Sequence, residues 1–131
     1  MPVIDASVLV AYLVEGEHAR PARDVVLSNA NALWAPHLVD AEIGHALRRV
    51  VSAGELTARK ARAALQDLAD LPILRVPHRT LLDRAWSLRD NVSFYDGLYI
   101  ALAETLDTPL VTLDARLATA PGARATITVI A

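Results

Sequence analysis

The sequence predicts an α/β domain of three layers, α/β/α, with helices on both faces of a mainly parallel sheet of four to five strands. Short runs rich in apolar and β-branched residues, around Val3-Ile4, Leu33-Trp34-Ala35, Ile73-Leu74-Arg75-Val76, Leu110-Val111-Thr112 and Ile127-Thr128-Val129, alternate with helical patterns. The stretch Leu98 to Ala103 is apolar on every side, which at helical period means a helix buried all round. Two of the strands end in an acid, Asp5 and Asp114. A parallel sheet gathers its function at the carboxyl ends of its strands.

The elements follow in chain order. Met1 to Asp5 reads as a short strand, and Ala6 to Leu13 as a helix that follows after a sharp bend. Asp5 at that bend is also a preferred helix cap. Glu15-Gly16-Glu17-His18 breaks the helix, and a second one runs from about Ala19 to Ser28, with Pro21 tolerated in its first turn. Leu33 to Ala35 is a strand closed by Pro36, and a long helix from Leu38 to Ala53 stops at Gly54. Its apolar stripe is Val39, Ile43, Ala46, Leu47 and Val50. Asp40 and Glu42 lie about 200° apart around that helix, so only one can face a given site, and periodicity does not say which.

Thr57 is placed to cap a further helix whose apolar face is Ala61, Ala64, Leu65 and Leu68, ending before Pro72. The strand Ile73 to Val76 ends at Pro77, and an amphipathic helix from Thr80 to about Arg89 carries Leu81, Leu82, Ala85, Trp86 and Leu88. The buried helix from Ser93 follows. Pro109 to Asp114 repeats the opening pattern of apolar strand and terminal acid, Ala115 to Ala118 makes a helical turn, and Thr126 to Ile130 is a last β-branched strand.

The 131 residues suit one domain, residues 1–131, able to bury roughly two-thirds of its unfolded surface. Cysteine is absent, which excludes a disulfide framework, a thiolate metal site and a thiol nucleophile, and suits a reducing cytoplasm. The apolar run Ala6 to Val14 is far short of the ~20 residues that span a bilayer and lacks a basic leader, so neither a signal peptide nor a membrane anchor is expected. A formal net charge of −2 argues weakly against a nucleic-acid partner. If four of the 15 acids neutralise a metal, 11 remain against 13 bases, a balance of +2.

Asp96 is the acid that needs explaining, since it opens the all-apolar helix. Ser93-x-x-Asp96 fits a capping box, and a carboxylate in the first turn also suits the helix dipole. Yet this helix feeds the strand that ends in Asp114, so Asp5, Asp96 and Asp114 are expected on one rim. Such acids repel one another unless protonated or neutralised by a cation. An oxygen-rich cluster without cysteine suits Mg²⁺, which takes one or a few carboxylates and keeps its waters. Ser7 and Thr112, each two residues from a rim acid, are accessory candidates for a metal-bound water or a phosphate oxygen, with local turn bonding as their ordinary role.

Val3-Ile4-Asp5-Ala6-Ser7, Glu42 with Ala46-Leu47-Arg48-Arg49, Tyr95-Asp96-Gly97-Leu98-Tyr99-Ile100-Ala101-Leu102-Ala103-Glu104, and Leu110-Val111-Thr112-Leu113-Asp114 together resemble the four blocks of the PIN-domain ribonucleases, in order. The match is to their VapC-type toxin branch. The resemblance implies a PIN-like fold and makes Asp5, Glu42, Asp96 and Asp114 the acidic quartet that binds Mg²⁺ or Mn²⁺ and catalyses. It favours Glu42 over Asp40. It also implies endoribonuclease activity, inhibition by a cognate VapB-type antitoxin that often inserts an Arg, and a homodimer.

Two positions depart from the pattern. His45 stands where relatives often carry Asn, and Leu117 where many have an aromatic residue. His45 is expected as a partly buried polar residue that could otherwise approach a phosphate. Arg48 and Arg49, with Arg59, Lys60 and Arg62, form either an RNA phosphate track or a solvated face, the first two being the candidate RNA contacts. Trp34, Trp86 and Phe94 are expected in the core. Exposed apolar surface on the helices around Leu56 to Leu68 is compatible with a dimer. Two rivals remain: a PIN fold kept as a non-catalytic binding module, and an aspartyl-nucleophile phosphatase. The latter lacks a second acid at Ser7.

Overall fold

The computed structural model describes residues 1–29 and 32–130. Five strands, β1 (Val3–Ile4), β2 (Leu33–Pro36), β3 (Ile73–Val76), β4 (Leu110–Thr112) and β5 (Ile127–Val129), form one sheet in the order β3-β2-β1-β4-β5. Every pairing is parallel. The central strands are buried on both faces, with Val3, Ile4 and Leu110 at 0% exposure, whereas the edges show Leu74 and Val129 to solvent. The continuous apolar runs of β1 and β4 are what a doubly covered parallel sheet requires.

Helices α1 (Ala6–Val14), α2 (Ala19–Ser28), α3 (Leu38–Ser52) and α4 (Ala58–Asp70) pack on one another. A second group, α5 (Leu82–Ser87) and α6 (Phe94–Leu106), packs together, and α6 lies on β1, β2 and β4. The chain steps from β1 through β2 to β3 and then returns to β4, and connections between parallel strands of one sheet take the right-handed sense, which puts the two groups on opposite faces. The expected three layers result. Helix α6 is buried from Gly97 to Ala103, and each large side chain so buried stabilises the fold by about 1.5–3 kcal/mol.

Several expectations need correcting. Trp86 is 59% exposed and Phe94 38% exposed, whereas Trp34 packs against the core as expected, partly buried. The segment before α5 is a 3₁₀ turn, Arg79–Leu81, and the inward positions are Leu81, Ala85 and Leu88. Trp86 and Leu82 fall on the outer face as a consequence, and Arg89 stacks on the Trp86 ring at 4.9 Å. Leu65, assigned to the apolar face of α4, is exposed, as is His45 on α3.

Helices antiparallel to the strands bring their N-termini to the strands' carboxyl rim. The chain leaves β1 toward β2 on one side and returns to β4 on the other, so the strand order reverses between β1 and β4. Crevices at such a switch point are where open α/β sheets bind ligands. Asp5 and Asp114 flank it.

Candidate active site at the switch point of the sheet

Asp5 follows β1 directly, its N–H bonded to the Val111 carbonyl at 2.9 Å. It occupies the N-cap position of α1, but its side chain makes no cap bond. The carboxylate is turned toward β4. Thr112 Oγ1 donates to Asp5 Oδ2 at 2.7 Å, and Ser7 Oγ donates to the same oxygen at 3.0 Å. Each hydroxyl is in turn held by a backbone N–H, from Asp114 to Thr112 at 3.0 Å and from Leu113 to Ser7 at 3.2 Å. Asp5 is 8% exposed and Thr112 fully buried. Ser7 and Thr112 thus commit their protons to fixing Asp5, a positioning role that neither of their expected readings described.

Asp96 sits in the first turn of α6. Ser93 Oγ accepts the Asp96 N–H at 3.1 Å, so Ser93 is the cap, and the bond involves the backbone of Asp96 rather than its carboxylate. That leaves the carboxylate available to a ligand. Burial, reinforced by the charge of Asp5, pushes the Asp96 carboxyl above its ordinary range, with Ser93 opposing the rise and Asp114 adding to it.

Glu42 lies one turn into α3 and accepts a 2.7 Å hydrogen bond at Oε1 from the hydroxyl of Tyr99 on α6. Burial raises its pKa, Tyr99 lowers it, and the charges of Asp5 and Asp96 raise it again. Tyr99 is 1% exposed. Its burial, and then the Glu42 charge, drive the phenol well above its ordinary value, so it remains a donor across the working pH range. Sequence reasoning passed Tyr99 over as part of an apolar run. The available signal was a hydroxyl three residues after Asp96 on the same helix face.

Asp40, the other acid on α3, is engaged elsewhere. Arg75 clamps it with Nε at 2.7 Å and Nη2 at 2.8 Å. This buttresses α3 on β3 and separates Asp40 from Glu42 as the helical angle requires.

Asp114 stands beyond β4 and caps the following 3₁₀ turn, Ala115–Thr119, through the Arg116 N–H. The Arg116 guanidinium also grips its carboxylate, Nε to Oδ1 at 3.0 Å and Nη2 to Oδ2 at 2.7 Å, and that pairing holds the Asp114 carboxyl below its usual range. Arg116 is exposed, so the clamp is one that solvent screens.

The predicted acids feel one another's charge across the rim: Asp5 acts on Glu42 and Asp96, and Asp114 acts on Asp96. Among the described residues no three His, Asp or Glu side chains converge as a ready-made metal cage. Uncompensated carboxylates repel, and Asp114 is tied by Arg116, which accounts for the open arrangement. The donor set is all oxygen and its net charge is negative, a fit for a hard divalent cation.

The candidate RNA contacts separate. Arg49 lines a groove with Leu38, Ala41, Glu42, His45 and Tyr95. Arg48 lines a different groove, between α3 and α4, with Leu47, Val51, Ala61 and Arg62. Adjacent residues on a helix face 100° apart, so the two guanidinium groups leave α3 in different directions.

The PIN domain family model matches residues 3–123. Ribonuclease VapC1 of Mycobacterium tuberculosis is 48% identical over 122 residues, covering 92% of this chain and 90% of its own. Among solved structures, PAE2754 from Pyrobaculum aerophilum superposes with a TM-score of 0.70 at 26% identity, covering 97% of this chain and 82% of that one. VapBC2 from Rickettsia felis, bound to a DNA fragment from their promoter, gives 0.66 at 12% identity, with 95% of each chain covered. A family model that spans nearly the whole chain and a VapC ribonuclease 48% identical over 92% of it show that the chain belongs to the PIN domain family, in its VapC branch.

Proposed function

We propose that this chain is a metal-dependent endoribonuclease toxin that hydrolyses phosphodiester bonds in cellular RNA and is restrained by a cognate VapB-type antitoxin. What supports the reading is that burial and the charges of neighbouring acids push Glu42 and Asp96 upward, Asp5 acting on both and Asp114 on Asp96, as expected of carboxylates set around one cation site. The ribonuclease activity named for the VapC1 relative agrees with it.

Asp5, Asp96 and Asp114 would hold Mg²⁺ or Mn²⁺, with Glu42 completing the set. When bound, such an ion polarises the phosphodiester and makes water a better nucleophile. The residues of the chain supply the rest. Thr112 and Ser7 keep Asp5 fixed, and Tyr99 keeps Glu42 in one orientation toward the rim. Water attacks phosphorus in line and the leaving oxygen departs on the opposite side, so no covalent intermediate with the protein forms. Arg49 brings positive charge to the Glu42 side of the rim, where an RNA phosphate would follow.

The partner reading draws on the VapBC2 neighbour, and an Arg of the antitoxin would compete for the same carboxylates. Homodimerisation is part of the same proposal. No described helix is long and apolar enough to cross a membrane, and we place the protein in the cytoplasm.

A non-catalytic PIN module finds one observation in its favour, the Arg116 clamp on Asp114. Calorimetric titration with Mn²⁺ separates the two, since the enzyme must bind the ion and the module need not. An aspartyl-phosphatase is disfavoured by Ser7, which donates to Asp5 where a second acid would stand. The test of function is digestion of total cellular RNA by the purified chain, free of antitoxin, with end sequencing. Discrete cuts that need Mg²⁺ or Mn²⁺ and vanish with chelator support the reading, and intact RNA from folded, metal-loaded protein overturns it.

A further inference from the structure

Beside the acidic rim lies a groove of about 470 Å³, lined by Leu38, Ala41, Glu42, His45 and Arg49 of α3 and by Tyr95 of α6. Its volume falls within the ~300–1,000 Å³ of small-ligand sites. The α3 residues recur at helical spacing, so one face of the helix forms one wall. Tyr95 supplies the other, and it is 57% exposed in the first turn of α6, the helix that is buried from Gly97 to Ala103. Among the described residues no ring pair or cation–π contact engages its ring. Glu42 belongs to both the groove and the acidic site, so whatever fills the groove lies next to the reacting phosphate.

We infer that this groove is a nucleotide subsite, in which the Tyr95 ring stacks on the base of the nucleotide flanking the scissile phosphate of a single-stranded RNA. This rests on the ribonuclease reading above. Leu38 and Ala41 give the base an apolar floor, and Arg49 and His45 present donors at the side where the sugar–phosphate backbone would pass. An exposed aromatic beside a basic residue, opening onto a catalytic centre, is the arrangement single strands require. Their bases are unstacked and present a π-face, and their phosphates need positive charge. A duplex would bring only its backbone to such a slot.

The test uses the intact protein and a short oligoribonucleotide spanning its principal cut in cellular RNA, together with versions in which single bases are replaced by abasic sites. Tyr95→Ala should lower kcat/KM by about 5- to 100-fold, the range expected from loss of one base stack. Tyr95→Phe should stay within about twofold, because the ring rather than the hydroxyl does the binding. One abasic position next to the cut should impair the wild type by a similar factor yet cost Tyr95→Ala almost nothing more, the signature of a shared contact. The same ordering is expected for affinities measured by anisotropy in the Asp96→Asn background. Arg49→Ala, by contrast, should reduce the slope of log affinity against log salt by about 0.7, and Tyr95→Ala should leave that slope alone. Wild-type rates and affinities for Tyr95→Ala, or an abasic penalty that persists in it, would overturn the subsite while leaving the nuclease intact. A wild-type chain that neither binds nor cuts any RNA would overturn both.

Discussion

The hydroxyl of Tyr99 donates to Glu42 at 2.7 Å across the boundary between α6 and α3, joining residues 57 positions apart in the chain. The bond ties the buried helix that carries Asp96 to the helix that carries the fourth acid. A phenol that does not ionise has one proton to give, and here it gives it to a carboxylate already crowded by two others.

Tyr99→Phe should therefore leave the ring packed and the fold intact, at a cost of about 1 kcal/mol. Mn²⁺ affinity and RNA cleavage should fall by roughly 10- to 100-fold, the usual effect of removing a group that orients a metal ligand. Calorimetry and cleavage rates measured on the same preparation check both, and wild-type values would show that Glu42 needs no such support.

Capping and function at the start of α6 separate by mutation. Ser93→Ala removes the acceptor for the Asp96 N–H and should cost about 1 kcal/mol in denaturant melts while sparing cleavage. Asp96→Asn keeps that backbone bond and removes a charge repelled by Asp5 and Asp114. It should abolish cleavage and leave the metal-free protein as stable as wild type or more so. An Asp96→Asn protein that is clearly less stable without metal would assign the carboxylate a structural role.

Gly97 is where α6 passes α5. A Cβ there would meet the Ala85 carbonyl oxygen at 3.0 Å and its Cα at 3.2 Å, both backbone atoms that cannot rotate aside. Alanine gains about 1 kcal/mol of helix propensity, whereas overpacking costs about 1–3 kcal/mol. The second effect should win, so Gly97→Ala should unfold earlier in urea. A stabilised variant would mean that α5 yields.

Glu104 near the end of α6 accepts from Arg84 at 2.6 Å and 3.0 Å and from the Arg124 N–H at 2.8 Å. Its side chain is only 14% exposed, and the Arg84 bonds hold its carboxyl below the ordinary value of 4.5. A depressed acid stabilises the fold above the unfolded pKa and loses that contribution as pH falls through the folded one. Glu104→Gln should therefore melt below wild type near neutral pH, by about 1–3 kcal/mol, with the gap closing as pH drops below 4.5. A gap that stays constant would mean packing rather than charge accounts for it.

The sequence carried the layered fold because continuous apolar strands and one all-apolar helix leave a doubly covered parallel sheet as the consistent arrangement. The places of Asp5, Asp96 and Asp114 were legible for the same reason, since strand ends and the starts of antiparallel helices collect on one rim. The choice between Asp40 and Glu42 was not legible from helix geometry, because their partners, Arg75 and Tyr99, lie 35 and 57 residues away. Trp86 and Phe94 misled because apolar character says that a side chain prefers burial without saying which face of a short helix the core takes. Ser7 and Thr112 were flagged for proximity to acids, but only the register of β4 beside β1 shows that both serve Asp5.

The central claim is that Asp5, Glu42, Asp96 and Asp114 act as one site, and the most direct measurement is metal-dependent cleavage by single and paired amide variants of these four, with Asp40→Asn beside them. Groups that act as a unit are non-additive, so each single variant should lose nearly as much activity as any pair. Asp40→Asn should lose stability with Arg75 unpaired and still cut. Activity retained by any one of the four single variants, or lost equally in a folded Asp40→Asn, would contradict the account.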